Sequence, residues 1–192
     1  MQKNNYAADE RLGTDSIWRL MFSMGIPTLV AQVINLLYNI VDRIYIGHIK
    51  EVGATALTGV GLAMPIIIII SAFSMFIGGG GPPLAAISLG KGDREKAERI
   101  LSNGFTVLII LSVVLSILFM LIKRPFLYMI GASDSTFPYA DDYLSIYLLG
   151  TVFVQITVGL NTFITAQGRS NIAMLSVLIG AVLNIALDPL FI

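Results

Sequence analysis

Five long stretches of this sequence contain no charged residue: 20–41, 52–90, 100–122, 143–168 and 170–187. A helix needs roughly 20 apolar residues to cross the hydrocarbon core of a bilayer, and four of these stretches have the length of one crossing. Backbone groups in lipid must bond within their own segment or within a closed barrel. Long apolar runs without period-two alternation point to helices rather than barrel strands. Only 12% of the chain is charged and its mean hydropathy is +0.83, whereas a soluble domain carries roughly 25% charged residues. That charge density does not cover a water-soluble surface, so the solvent for most of the chain is the lipid bilayer.

The second stretch holds either one long helix or two short ones broken at Gly78-Gly79-Gly80-Gly81-Pro82-Pro83. Basic residues favour the cytoplasmic side, and their distribution chooses. With one helix, Lys3, Arg11, Arg19, Lys91, Arg94, Lys96, Arg99 and Arg169 share the cytoplasmic side, and Arg43, Lys50, Lys123 and Arg124 lie opposite. With two helices the bias disappears. The expectation is therefore a cytoplasmic tail over 1–16 and spans at about 17–47, 53–89, 96–122, 138–167 and 170–192. The tail lacks the apolar segment of a signal peptide. A multi-pass protein of the inner (plasma) membrane follows. Its fifth helix ends without a basic or aromatic anchor, which reads as truncation inside that helix.

Several chemistries are excluded. The chain has no cysteine and one histidine, His48, so disulfides, thiolate centres and multi-His metal sites are absent. No nucleophile–base constellation marks an enzyme. A net charge of zero gives no support to a nucleic-acid partner. The tetraglycine lacks the Gly-Lys-Ser/Thr element of a phosphate loop. His48 reads as interfacial, and Asp141 and Asp142 read as solvated residues at a helix mouth.

Polar side chains inside spans are costly and are functional candidates by default. The first helix carries Thr28, Gln32, Asn35, Asn39 and Asp42, a spacing that puts all five on one face. For Gln32 and Asn35, hydrogen-bond glue between helices competes with a functional role. Asp42 is a poor structural choice for a dry site, although Arg43 beside it could neutralise it at the interface. The fifth helix repeats the pattern with Ser176, Gly180, Asn184 and Asp188, and Pro189 frees a carbonyl one turn back. A carboxylate, an amide and a free carbonyl are oxygen ligands for a small hard cation.

Helix direction puts Asp42 and Asp188 in the outer halves of their spans, with Tyr143 near the same level. Two carboxylates in one dry pocket resist being charged together, so the pocket suits exchange of a proton or a sodium ion. Pro27 allows a kink, either a static bend or a hinge. Thr157, Asn161 and Thr165 line one face of the fourth helix as cavity lining or as glue.

The sequence also resembles the N-terminal lobe of the multidrug and toxic compound extrusion (MATE) family. Four stretches carry the resemblance: Gly25-Ile26-Pro27 through Asn35 and Asn39 to Asp42 and Gly47; Ala56-Leu57-Thr58-Gly59-Val60-Gly61-Leu62 followed by Pro65; Leu89-Gly90-Lys91-Gly92-Asp93 with Ala97 and Gly104; and Gln167-Gly168-Arg169 running to Leu183-Asn184-Ile185-Ala186-Leu187-Asp188-Pro189-Leu190-Phe191-Ile192. The resemblance implies an all-α fold of two six-helix lobes, twelve spans, of which this chain supplies helices one to five. It implies antiport: inward H+ or Na+ drives export of drugs, often lipophilic cations, with no other cofactor. It assigns a cation-coupling site to Asp42, Asn184, Asp188 and Tyr143, where Na+ at Asp42, Asn184 and Asp188 is the metal alternative to a proton. Asn161 is assigned to the cavity, which Gln32, Asn35 and Asn39 also line, and Pro27 is assigned to the kink.

The missing partner is then a C-terminal lobe of the same polypeptide, and the fragment alone is expected to be inactive. Pro82-Pro83 departs from the family pattern, which leaves open whether the inner end of the second helix unwinds. Two other readings remain. A flippase of lipid-linked oligosaccharides favours a basic cavity, whereas the intramembrane charges here are acidic. A structural membrane subunit has no need of two carboxylates at matching depth.

Overall fold

Satisfying each backbone group within its own segment leaves helices joined by tight turns, and the computed structural model shows this arrangement over residues 13–191, with side chains described for 13–187. The helices are α1 (Ile17–Gly47), α2 (Gly53–Gly90), α3 (Arg94–Met129), α4 (Phe137–Ala166) and α5 (Ser170–Phe191). All five are long and apolar enough to cross a membrane. At 38 residues α2 is about 57 Å long, longer than a hydrocarbon core of roughly 30 Å. It must tilt or project into the headgroups.

Three of the turns use the same stop signal. Gly92, Gly131 and Gly168 adopt φ values of +77°, +105° and +78°, a conformation that side chains with a Cβ resist. The next N–H then reaches back past the turn: Asp93 to the Ser88 carbonyl at 2.9 Å, Ala132 to Leu127 at 2.9 Å, and Arg169 to Ile164 at 3.3 Å. These bonds satisfy carbonyls that a helix end leaves orphaned. Asp93 then caps α3 by accepting from the Lys96 N–H at 3.0 Å.

Contacts along the helices fix their directions. Gly59 faces Tyr139, Ile70 and Ser74 face Gln155, and Gly81 faces Phe163, so α2 and α4 run parallel. Leu108 faces Gly159, Ser116 faces Leu148 and Lys123 faces Asp141, so α3 runs antiparallel to α4. Helices α2, α3 and α4 share the main core: Ala63, Ile66 and Ile70 meet Leu115, Phe119 and Leu127, and Ala140, Leu144 and Leu148. Helix α1 packs mostly on α5 and only lightly on α2. Only Pro27 and Ile46 of α1 are buried.

Lipid tails are as apolar as leucine, so small residues and interhelical hydrogen bonds have to hold such helices together. A Cβ on Gly59 would lie 2.8 Å from Tyr139 Cβ and 2.9 Å from the Ala140 nitrogen. Ser74 Oγ donates to the Gln155 carbonyl at 3.1 Å, and Gln155 Nε2 donates to the Ile70 carbonyl at 3.1 Å. Ser116 Oγ donates to the Leu148 carbonyl at 2.8 Å.

One question that the sequence left open is answered, and one expectation needs correction. The second helix does not unwind at Pro82-Pro83: α2 continues through both to Gly90. Each proline removes one intrahelical donor and crowds the carbonyl four residues back, and the segment stays helical where Gly78 and Gly81 pack against Thr162 and Phe163 of α4. Asp141 is not simply solvated. Helix α3 continues past Ile122, and Lys123 Nζ lies 2.7 Å from Asp141 Oδ1, with side chains only 15% and 28% exposed. Lys123 also donates to Ser145 Oγ. Asp142 is exposed, as expected.

Gly59 and Gly61 provide a test of close packing. Within a helix, alanine is intrinsically better than glycine by about 1 kcal/mol, and Gly61 has open space where its Cβ would go. Gly61→Ala is therefore expected to leave thermal stability in detergent unchanged or raised. Gly59→Ala must push two backbones apart and is expected to cost about 1–3 kcal/mol. Equal melting temperatures for the two variants would show that the α2–α4 contact is not tight.

Candidate cation site and polar helix face

The polar row on α1 straddles the edge of its inward stripe. Thr28, Gln32 and Asn39 are exposed, while Asn35 and Asp42 are half-buried. Thr28 Oγ1 donates to the Met24 carbonyl at 2.8 Å, and Asn39 Nδ2 donates to the Asn35 carbonyl at 2.7 Å. Those donors are turned back onto their own helix, which lowers the cost of an exposed polar face in lipid. Pro27 is buried inside α1. Lacking an N–H, it leaves the Ser23 carbonyl without its usual intrahelical donor.

Near the C-terminal end of α1, Ile46 packs with Ala56 and Val60 of α2, and Tyr139 and Tyr143 close over them. Tyr143 is half-buried, and its phenol lies within electrostatic reach of Asp42, Arg43 and Tyr38 of α1. The structure thus brings Tyr143 and Asp42 to one end of the bundle, from helices far apart in sequence. Arg43 Nη2 lies 3.9 Å from Met64 Sδ on α2. His48 is exposed beyond the helix, with Nδ1 2.7 Å from the Ile44 carbonyl.

On α5 the inward positions are Ser170, Ala173, Val177, Ala181 and Asn184. Asn184 Oδ1 is screened from solvent and accepts no hydrogen bond among the described residues. A buried carbonyl oxygen of this kind needs a donor or a cation. Asp188 lies one turn further along α5, but its side chain is outside the described residues. Register sets the depth: Asn161 Nδ2 donates to the Ala173 carbonyl at 3.1 Å and to Ser176 Oγ at 2.9 Å. Extending that antiparallel register puts Asn184 about two turns deeper than Tyr143 and Asp188 about one. Among the described residues, no group of three or more His, Asp or Glu could hold a metal. Among the described side chains, the oxygens nearest to such a role are the Asp42 carboxylate and Asn184 Oδ1.

Asn161 therefore ties α4 to α5 instead of presenting its amide to open space. Thr165 Oγ1 donates to the Asn161 carbonyl at 3.1 Å, and Thr157 is exposed. Gln155, which forms the α2–α4 clasp, was not singled out from the sequence. The available signal was its place in the row Leu144, Leu148, Thr151, Gln155, Gly159 and Phe163, which runs along one face of α4 and is buried throughout.

Comparison with known proteins places this arrangement. A model of the MatE family matches residues 27–190. The multidrug export protein MepA of Staphylococcus haemolyticus is 27% identical over 177 residues, covering 92% of this chain and 39% of that protein. The FAD transporter of Shewanella oneidensis is 24% identical over 176 residues, with 92% and 38% covered. The solved outward-facing structure of a multidrug resistance MATE family transporter of the MOP superfamily matches with a TM-score of 0.81 at 28% identity, over 90% of this chain and 38% of that one. A MOP superfamily transporter from Pyrococcus furiosus matches with a TM-score of 0.82 at 26% identity, over 90% and 37%. The chain spans about two-fifths of the length of each of these relatives. With five membrane-length helices in the order and packing of those structures, this multi-pass membrane protein belongs to the MatE family and corresponds to the N-terminal lobe of a MATE transporter.

Proposed function

We propose that this lobe serves a secondary active antiporter that exports drugs and other xenobiotics in exchange for inward H+ or Na+. It would sit in the inner (plasma) membrane with its N-terminus cytoplasmic, and a second lobe would supply the other wall of the cavity. The observation that carries the reading is the unpartnered Asn184 Oδ1, in a lobe that also holds the half-buried Asp42 within reach of Tyr143. Relatives named for drug export support the substrate class, and one named for FAD transport indicates how far substrates vary within the family. Basic residues are concentrated at the turns on one side of the bundle, which supports the orientation.

In this reading the cation binds at Asp42, Asn184 and Asp188, with Tyr143 at the mouth. The substrate meets the α1 face formed by Gln32, Asn35 and Asn39. Cation binding cancels negative charge at the α1–α5 pair and favours a different bend at Pro27. Coupling requires the cation to prefer one conformation, because equal affinity for both would shift nothing. Asn161 enters as the tie that holds α5 in place, contributing to the cavity through position.

In the full-length transporter, Asp42→Asn and Asp188→Asn are each expected to reduce drug efflux to background while membrane expression stays normal. Undiminished efflux in both variants would remove the coupling role. Proteoliposomes given a proton gradient or a sodium gradient separately would identify the ion. The cavity residues separate by a different pair of measurements. Gln32→Ala is expected to change drug affinity with no loss of thermal stability, because its side chain is exposed. Asn161→Ala is expected to lower stability by about 1 kcal/mol or more, with affinity preserved in the folded fraction. The reverse pattern would assign Asn161 to the substrate and Gln32 to packing.

A further inference from the structure

Four polar side chains lie in the middle of the three-helix core, away from the proposed cation site. Ser74 of α2 is 2% exposed, Ser112 of α3 is 0%, and Thr151 and Gln155 of α4 are 0% and 1%. They form one layer. On α3, Leu108 faces Gly159 and Ser116 faces Leu148. Ser112 falls midway between them, opposite Thr151 and Gln155.

The donors of this layer are all directed at main-chain carbonyls. Ser74 Oγ donates to Gln155 at 3.1 Å, Ser112 Oγ to Ile109 at 2.8 Å and Thr151 Oγ1 to Tyr147 at 3.0 Å. Gln155 Nε2 donates to Ile70 at 3.1 Å. That last bond fixes the carboxamide, because flipping it would set two acceptor oxygens against each other. Gln155 Oε1 is left without a partner among the described residues. At this depth an unsatisfied oxygen costs several kcal/mol.

The deficit identifies its remedy. What is missing is a donor, and every side-chain hydroxyl in the layer is already engaged. A metal ion would meet the oxygen, but the layer has no carboxylate to balance its charge, and an unpaired buried charge is costly. A neutral molecule with two small donors fits. We propose that Gln155 Oε1 binds an internal water molecule, which gives its second hydrogen to Ser112 Oγ or Thr151 Oγ1. Buried waters require two to four polar partners, and this layer supplies them. A water that donates to Ser112 joins α3 to the α2–α4 clasp, so that one glutamine ties all three core helices, whereas one that donates to Thr151 closes the layer within α4. The site stands apart from transport and does not depend on the antiport reading.

The test is direct. A crystal structure of the full-length protein, at a resolution that shows ordered solvent, is expected to place a water within hydrogen-bond distance of Gln155 Oε1 and of a hydroxyl oxygen of Ser112 or Thr151. A direct bond to Oε1 from a rotated Ser112 or Thr151, or an empty space beside it, would overturn the proposal. Infrared difference spectra on exchange into 18O-water give a second readout. A shifted O–H band is expected in the wild type and absent in Gln155→Met. Gln155→Glu should keep it: the neutral acid donates to the Ile70 carbonyl and leaves its C=O for the water. A spectrum that Gln155→Met leaves unchanged, or a band that Gln155→Glu also loses, would count against the site.

Discussion

The close parallel contact between α2 and α4 is the constraint on which the rest of this lobe depends. In water, two apolar helices associate because burial removes surface from solvent. In lipid that driving force is absent, and association relies on close backbone approach and on hydrogen bonds. Helix α2 meets both needs along its length. Gly59 lets the backbone of α4 come close at one end, Gly81 lies under the Phe163 ring at the other, and the Ser74–Gln155–Ile70 clasp joins them between. Helix α3 then has a formed groove to fill. Leu108 reaches onto Gly159, and the Lys123–Asp141 pair closes the far end.

The glycine run takes its meaning from the same contact. In isolation, four glycines followed by two prolines look like a break. Within the bundle they form a slender helical surface against which Thr162 and Phe163 can pack. The segment that looks weakest in sequence therefore remains helical where it meets α4. Local propensity is a weak prior, and here tertiary contact overrides it.

What the sequence reveals follows from what each signal depends on. Span number and length depend only on the absence of charge over about 20 residues, so all five helices were legible. Two of the turns fall where the second and fourth spans were expected to end, at 89 and 167, just before Gly92 and Gly168. Helix α3 was read too short because Lys123 and Arg124 resemble a membrane boundary. Lys123 instead turns inward to Asp141, a partner 18 positions away that no local pattern announces. Gln155 escaped notice for a similar reason: its role depends on the Ile70 carbonyl of another helix. For the candidate site, helical spacing put Asp42 on a polar face and Asn184 one turn from Asp188. Helix direction put Tyr143 near the level of Asp42, and the packing of Ile46 with Tyr139 and Tyr143 brings the two within electrostatic reach.

The lobe therefore has two parts with different physical character. Helices α2, α3 and α4 are closely packed, and their buried hydroxyls donate to main-chain carbonyls, with Gln155 Oε1 left to the proposed internal water. Helices α1 and α5 pack chiefly on each other and carry the polar groups left uncommitted, among them Asn184 Oδ1 and the exposed Gln32. A group that must bind and release a ligand needs unmet hydrogen-bonding capacity, and a closely packed core cannot hold such capacity without loss of stability. Confining it to a loosely attached pair lets that pair respond to a ligand while the core stays fixed. The proposed coupling follows from that separation: charge neutralisation at Asp42 acts on α1, of which only Pro27 and Ile46 are buried, where a small free energy can select between two bends at Pro27.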